Sequence, residues 1–207
     1  MKLMKILAIG AHPDDIEFGC GGTLYKYTTK GHQAYLMIMT QGDQGGEPGV
    51  RAKEQENSQA ILGIDRIYWS DYQDTKLVVD KEMINKIERV IAGVKPDFIL
   101  THFPDDTHQD HRHLAQATIS ATRYVQNVMF FEGPTTQNFT PNVYVDISAT
   151  LETKIEALKA HHSQIEKTNI EDMSIIELAR STANFRGIQG RVKFAEAFSS
   201  LRLFINI

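Results

Sequence analysis

Short apolar runs alternate with longer amphipathic stretches along most of this chain. Ile6-Leu7-Ala8-Ile9 is compact, contains β-branched residues and stops at Gly10, which predicts a buried strand. From Ile16 to Lys30 the pattern turns helical and closes at Gly31. A second strand is expected over Gln33 to Thr40, followed by a polar, Gly-rich loop from Gln41 to Gly49. Val50 to Leu62 predicts a helix stopped by Gly63, and Arg66 to Trp69 a third strand. Lys81 to Ala92 sets Met83, Ile84, Ile87, Val90 and Ile91 on one helical stripe, and Asp97 to Thr101 predicts a fourth strand. Beyond it the pattern gives a helix near His111 to Gln126, strands at Val128–Phe131 and Asn142–Asp146, and helices at Leu151–His162 and Ile175–Asn184. Residues 201–205 read as a strand or a helix end.

Strands alternating with helices of this length specify βαβ units, hence an α/β chain whose mostly parallel sheet is covered on both faces. No repeat, low-complexity tract or linker interrupts the pattern, so residues 1–207 are expected to form a single domain. The composition narrows the function. The 22 Lys and Arg against 26 Asp and Glu give a net charge of −4, without a basic run, which argues against a nucleic-acid backbone as partner. No apolar stretch approaches the ~20 residues needed to cross a bilayer. The N-terminal residues lack the pattern of a cleaved signal, and Cys20 is the one cysteine, so a cytoplasmic protein without an intrachain disulfide is expected.

The candidate chemistry lies where two strands end. In open parallel sheets ligands bind beyond the carboxyl ends of the strands. After the first strand comes Gly10-Ala11-His12-Pro13-Asp14-Asp15 in place of a Gly-rich dinucleotide turn, and its carboxylates would repel a phosphate. His12 and Asp15 are suited to Zn²⁺ or Fe²⁺, and Asp14 between them could act as a base beside the ion. The plainer alternative is that Asp14 and Asp15 cap the following helix. Gly19-Cys20-Gly21-Gly22 reads as close helix–sheet packing. After the fourth strand come His102, Asp105, Asp106, His108, Asp110, His111 and His113. One histidine of this cluster would complete a three-ligand site. His111 is preferred over His113, because His108 precedes it by one helical turn and Asp110 can orient a histidine. His102, at the strand end, suits a structural role as well as a functional one.

Ala11-His12-Pro13-Asp14-Asp15 followed by His108-Gln109-Asp110-His111 resembles the paired signature of the PIG-L/LmbE-like deacetylases. The similarity extends to Thr40-Gln41-Gly42, Arg51-x-x-Glu54, Val145-Asp146-Ile147, Lys154, His162-Ser163-Gln164 and Phe194 to Phe198, and so covers most of the chain. It implies a Rossmann-like three-layer α/β fold and hydrolysis of an N-acetylated amino sugar of the N-acetylglucosamine type. It also implies one divalent ion, Zn²⁺ or Fe²⁺, held by His12, Asp15 and His111, with Asp14 as general base. His108 would be a charged oxyanion stabiliser with Asp110 as its charge partner, and Arg51 would contact the sugar. Gln109 departs from the family's usual proline. The loop from Gln41 to Gly49 is a candidate lid or a plain connection, and Arg51 could instead pair with Glu54 on a helix surface. The rival readings are a non-haem Fe²⁺ oxygenase, a dinuclear phosphoesterase that also uses Asp105 and Asp106, and a non-catalytic metal- or sugar-binding module. Phe130 and Phe131 are candidates for a homo-oligomer interface.

Overall fold

A computed structural model describes residues 3–168 and 170–205. The first five strands, β1 (Lys5–Gly10), β2 (Gln33–Thr40), β3 (Arg66–Tyr72), β4 (Phe98–His102) and β5 (Val128–Phe131), are parallel. β6 (Val143–Asp146) and β7 (Ala195–Arg202) extend the sheet, with β7 antiparallel to both of its neighbours. The spatial order is β3-β2-β1-β4-β5-β7-β6. The order therefore reverses beside β1, between β1 and β4, which creates the crevice where such sheets bind ligands.

Helices α1 (Asp15–Thr28), α2 (Pro48–Leu62) and α5 (Leu151–Ala160) cover one face, and α3 (Lys81–Val94) and α4 (Gln109–Ala121) the other. The two cores follow from strand alternation. Ile6, Ala8, Leu36 and Ile38 point into the first, and Leu7, Ile9, Met37 and Met39 into the second. This is the expected single-layer sheet between two helical layers. α6 (Ile175–Gly190) adds a smaller cluster against α5 and Phe18. Gly19 is required by packing, since a Cβ there would run into the Phe131 ring, and a Cβ at Gly22 would meet Ile147 at 3.0 Å. Phe130 and Phe131 are 4% and 0% exposed, so they are core residues and cannot form an interface.

Two boundaries differ for identifiable reasons. α4 begins at Gln109 because His108 caps it, and ends at Ala121, where the Thr122 hydroxyl returns to the Thr118 carbonyl. β7 begins at Ala195, well before residue 201, because its second residue is a buried glutamate that breaks the apolar alternation. Among the described residues no helix is long and apolar enough to cross a membrane.

Candidate metal centre

The turn after β1 and the segment between β4 and α4 meet in the crevice. His12 Nδ1 lies 3.3 Å from Asp15 Oδ2, and His111 Nε2 lies 3.3 Å from Asp15 Oδ1. One ligand atom each of His12, Asp15 and His111 can be chosen so that all lie within 4.8 Å of one another. Two imidazoles and a carboxylate facing a cavity suit Zn²⁺ or Fe²⁺. His12, His108 and Asp110 form a second, overlapping group. It is the poorer cation site, because Asp110 already accepts from the Thr75 and Leu77 amides at 2.7 and 3.2 Å.

The two candidate histidine ligands are held from behind. Asp110 Oδ2 lies 3.3 Å and Asp74 Oδ1 2.9 Å from His12 Nε2. Asp106 Oδ2 lies 3.3 Å from His111 Nδ1. The Thr135 and Thr136 hydroxyls donate to Asp106 at 2.6 and 2.9 Å. His102 stacks on His111 at 4.0 Å, and its Nε2 lies 3.2 Å from Asp15. Burial, reinforced by His111, pushes His102 down to about 4, so it is neutral. Burial alone would also lower His111, but Asp15 and Asp106 raise it to about 9. Burial alone would raise Asp15, yet His111 and His102 hold it well below the usual carboxylate range.

Asp14 stands apart from the ligands. It occupies the N-cap position of α1 but makes no cap hydrogen bond with its side chain, so the capping role does not apply to it. Desolvation raises its pKa to about 6, against the opposing charge of Arg51, whose Nη2 lies 3.2 Å from Asp14 Oδ2. Arg51 is 4% exposed and donates to the Gly42 and Pro13 carbonyls at 2.9 and 2.6 Å. It makes no surface pair with Glu54, which is buried and accepts from the Ser163 amide and hydroxyl at 2.8 and 2.7 Å.

His108 and Asp110 meet through the backbone as well as through charge. His108 Nδ1 accepts from the Asp110 backbone amide at 3.2 Å, and the Asp110 carboxylate is spent on His12 and two amides. Burial and the neighbouring His111 and His12 lower the His108 pKa. An Nδ1 that accepts this amide leaves Nε2–H as the donor of His108. Gln109 is the first residue of α4, a position where proline is favoured in helices and glutamine is well tolerated.

His12, Asp14, Asp15, Arg51, His108 and His111 line a cavity of about 480 Å³. Its outer wall adds Phe18, Gln44, Gly45, Gln164, Ile175 and Leu178. The loop before α2 is pinned by Arg51 at Gly42 and by Gln164 and Lys167 at the Gly45 carbonyl. Sequence reasoning missed Asp74, which carries no motif, and left Asp106 without its role beside His111, although its position two residues before His108 was a usable signal.

The chain is 35% identical over 171 residues to the uncharacterised deacetylase YaiS of Escherichia coli (strain K12), covering 78% of this chain and 92% of that protein. It is 30% identical over 191 residues to the diacetylchitobiose deacetylase of Thermococcus kodakarensis, covering 77% and 70%. A solved N,N'-diacetylchitobiose deacetylase from Pyrococcus horikoshii superposes with a TM-score of 0.85 at 27% identity, covering 96% of this chain and 84% of that one. Residues 7–122 match the model of the PIG-L family, described as GlcNAc-PI de-N-acetylase, and the chain belongs to that family.

Proposed function

We propose that the protein is a metal-dependent hydrolase that removes the acetyl group from an N-acetylated amino-sugar conjugate of the N-acetylglucosamine type. The observation that carries this reading is Asp14, a carboxylate left out of the ligand set yet placed beside it at the cavity. His12, Asp15 and His111 would hold the ion, Zn²⁺ or Fe²⁺. When bound, such an ion polarises an acyl carbonyl and makes water a competent nucleophile at neutral pH.

The chain's own residues supply the rest. Asp14 takes the proton of the attacking water on its carboxylate and returns it to the departing amine. A group with a pKa of about 6 is suited to both transfers near neutrality. His108 donates Nε2–H to the developing oxyanion. Asp110 and Asp106 keep the His12 and His111 rings oriented. Arg51 braces Asp14 and stands in the cavity wall where a sugar hydroxyl would sit. The loop from Gln41 to Gly49, pinned at Gly42 and Gly45, supplies one wall for the conjugate through Gln44 and Gly45. Water and the amide give acetate and a free amino sugar. The single cysteine suits the reducing cytoplasm, the compartment we assign.

The rival readings find less support. The two ligand groups share His12, so the described residues offer no pair of independent sites for a dinuclear phosphoesterase. An Fe²⁺ oxygenase would leave Asp14 without a task. Metal-loaded protein incubated with N-acetylglucosamine, diacetylchitobiose and an N-acetylglucosamine glycoside should release acetate and primary amine in equal amounts. Asp14→Asn should lower that rate by about 10²–10⁴-fold, the range for loss of a general base, with metal content unchanged. Stoichiometric metal with no amine release would leave a binding module, and oxygen consumption would point to the oxygenase.

A further inference from the structure

Asp14 sits in a conformation that its own side chain disfavours. Its φ of 92° and ψ of −27° are left-handed, a region that residues other than glycine occupy at a cost unless their surroundings impose it. Aspartate at a helix N-cap ordinarily takes extended angles and turns its carboxylate onto the first amides of the helix. That relaxed state competes directly with the one observed, because it would withdraw the carboxylate from the cavity.

What opposes it comes from α2. The Asp14 amide donates to Gln55 Oε1 at 3.4 Å. Gln55 is fully buried, and the orientation of its amide is set from the far side, where Nε2 donates to Glu17 Oε1 at 2.6 Å. The Ser58 hydroxyl donates to the same Glu17 oxygen at 2.7 Å. With its nitrogen committed to Glu17, Gln55 presents only its oxygen to residue 14. Arg51, Gln55 and Ser58 follow i, i+4, i+7 spacing, which lays one stripe of α2 along the turn. A buried stripe of that spacing is normally apolar. Here it is polar, a desolvation cost offset only by specific hydrogen bonds.

We propose that Gln55, oriented by Glu17 and Ser58, is a positioning residue for Asp14: it holds the peptide of residue 14 in the left-handed turn, so that the carboxylate faces the cavity instead of capping α1. The inference rests on reading Asp14 as the general base. Gln55 touches no substrate and acts through the turn alone.

The test is a cycle of variants on the metal-loaded protein, with acetate release as the readout. Gln55→Leu should lower kcat by about 10²-fold, the scale of a misplaced catalytic group, with KM and metal content close to wild type. In the Asp14→Asn background the same substitution should cost nothing further, since its effect passes through a base already removed. A crystal structure of Gln55→Leu should show Asp14 out of the left-handed region and capping α1. The exchange Glu17→Gln with Gln55→Glu keeps one carboxylate and one amide in reversed places. The carboxylate it introduces on α2 can still accept from the Asp14 amide, so the exchange should recover most of kcat. Wild-type kcat in Gln55→Leu overturns the proposal. So does an equal loss in both backgrounds, or an exchange variant that folds, binds metal and stays as slow as Gln55→Leu. No acetate from the wild type, or full activity in Asp14→Asn, would instead overturn the reading of the site itself.

Discussion

α1 carries a buried ionic group at each of two places, and they differ in what is left open. At its first residue, Asp15 meets His12, His102 and His111 at a cavity. One turn further on, the helix breaks at Cys20, whose φ is −151°. In a straight helix the Gly22 amide would bond to the Phe18 carbonyl. Here the Gly22 and Thr23 amides donate to Glu196 at 2.9 and 2.7 Å, and Lys154 Nζ donates to the Phe18 carbonyl at 2.5 Å and to Glu196 Oε1 at 2.7 Å. Both Glu196 oxygens and the Lys154 ammonium bond inside the protein. At the first, Asp15 Oδ2 accepts from the His12 amide at 2.7 Å, while its Oδ1 and the His12 and His111 rings converge at the cavity. A closed buried ion pair splices a helix, whereas the cluster at Asp15 turns ligand-type atoms toward a cavity.

The sharpest way to break this comparison is at the closed group. Lys154→Met should leave Glu196 buried and unpaired, and lower unfolding stability by about 3–5 kcal/mol, the usual result of removing one partner of a buried pair. Chemical denaturation checks it. The folded fraction should keep its metal, because Lys154 bonds to the Phe18 carbonyl and Glu196 and to none of His12, Asp15 and His111. A stable variant with lost metal binding would show that the two groups are one.

The sequence exposes these two groups unequally. His12, Asp15 and His111 are readable because ligand-type residues cluster in turns that the apolar periodicity places at strand ends. Glu196 is hidden for the opposite reason: a charge inside a strand breaks the very alternation by which strands are found, so the sequence leaves residues 201–205 as a strand or a helix end although β7 runs from Ala195 to Arg202. Asp74 arrives from the connection after β3, where no local pattern marks it, and only the sheet order brings it to His12. Which His108 nitrogen donates also escapes sequence, since it depends on which atom accepts the Asp110 amide.

A smaller effect sharpens the open side. Asp106 bears on His111 from outside the ligand set, fixed by two threonine hydroxyls of the neighbouring loop. Asp106→Asn should weaken metal affinity by about 10–100-fold, as for other carboxylates behind ligating histidines. Competition with a chelator reads it directly. Stability should change far less than in Lys154→Met. Unchanged affinity would mean that His111 is oriented by its stacking on His102 alone.

The smallest effect separates the two groups by pH. The His111 pKa is raised from 6.5 to about 9 by Asp15 and Asp106 in the metal-free protein, over the lowering effect of burial. A folded-state pKa above the unfolded value gives stability that is fully present below about 6.5 and lost as pH rises through about 9. Metal-free protein should therefore lose stability across that window. Over the same window a cation no longer has to displace the proton, so its apparent affinity should rise by up to about tenfold per pH unit for each proton released, and level off above pH 9. Thermal melts and chelator competition at matched pH should move in opposite directions. If both stay flat from pH 6.5 to 9, His111 is not protonated in the metal-free protein, and the cluster is as closed as the pair beside Cys20.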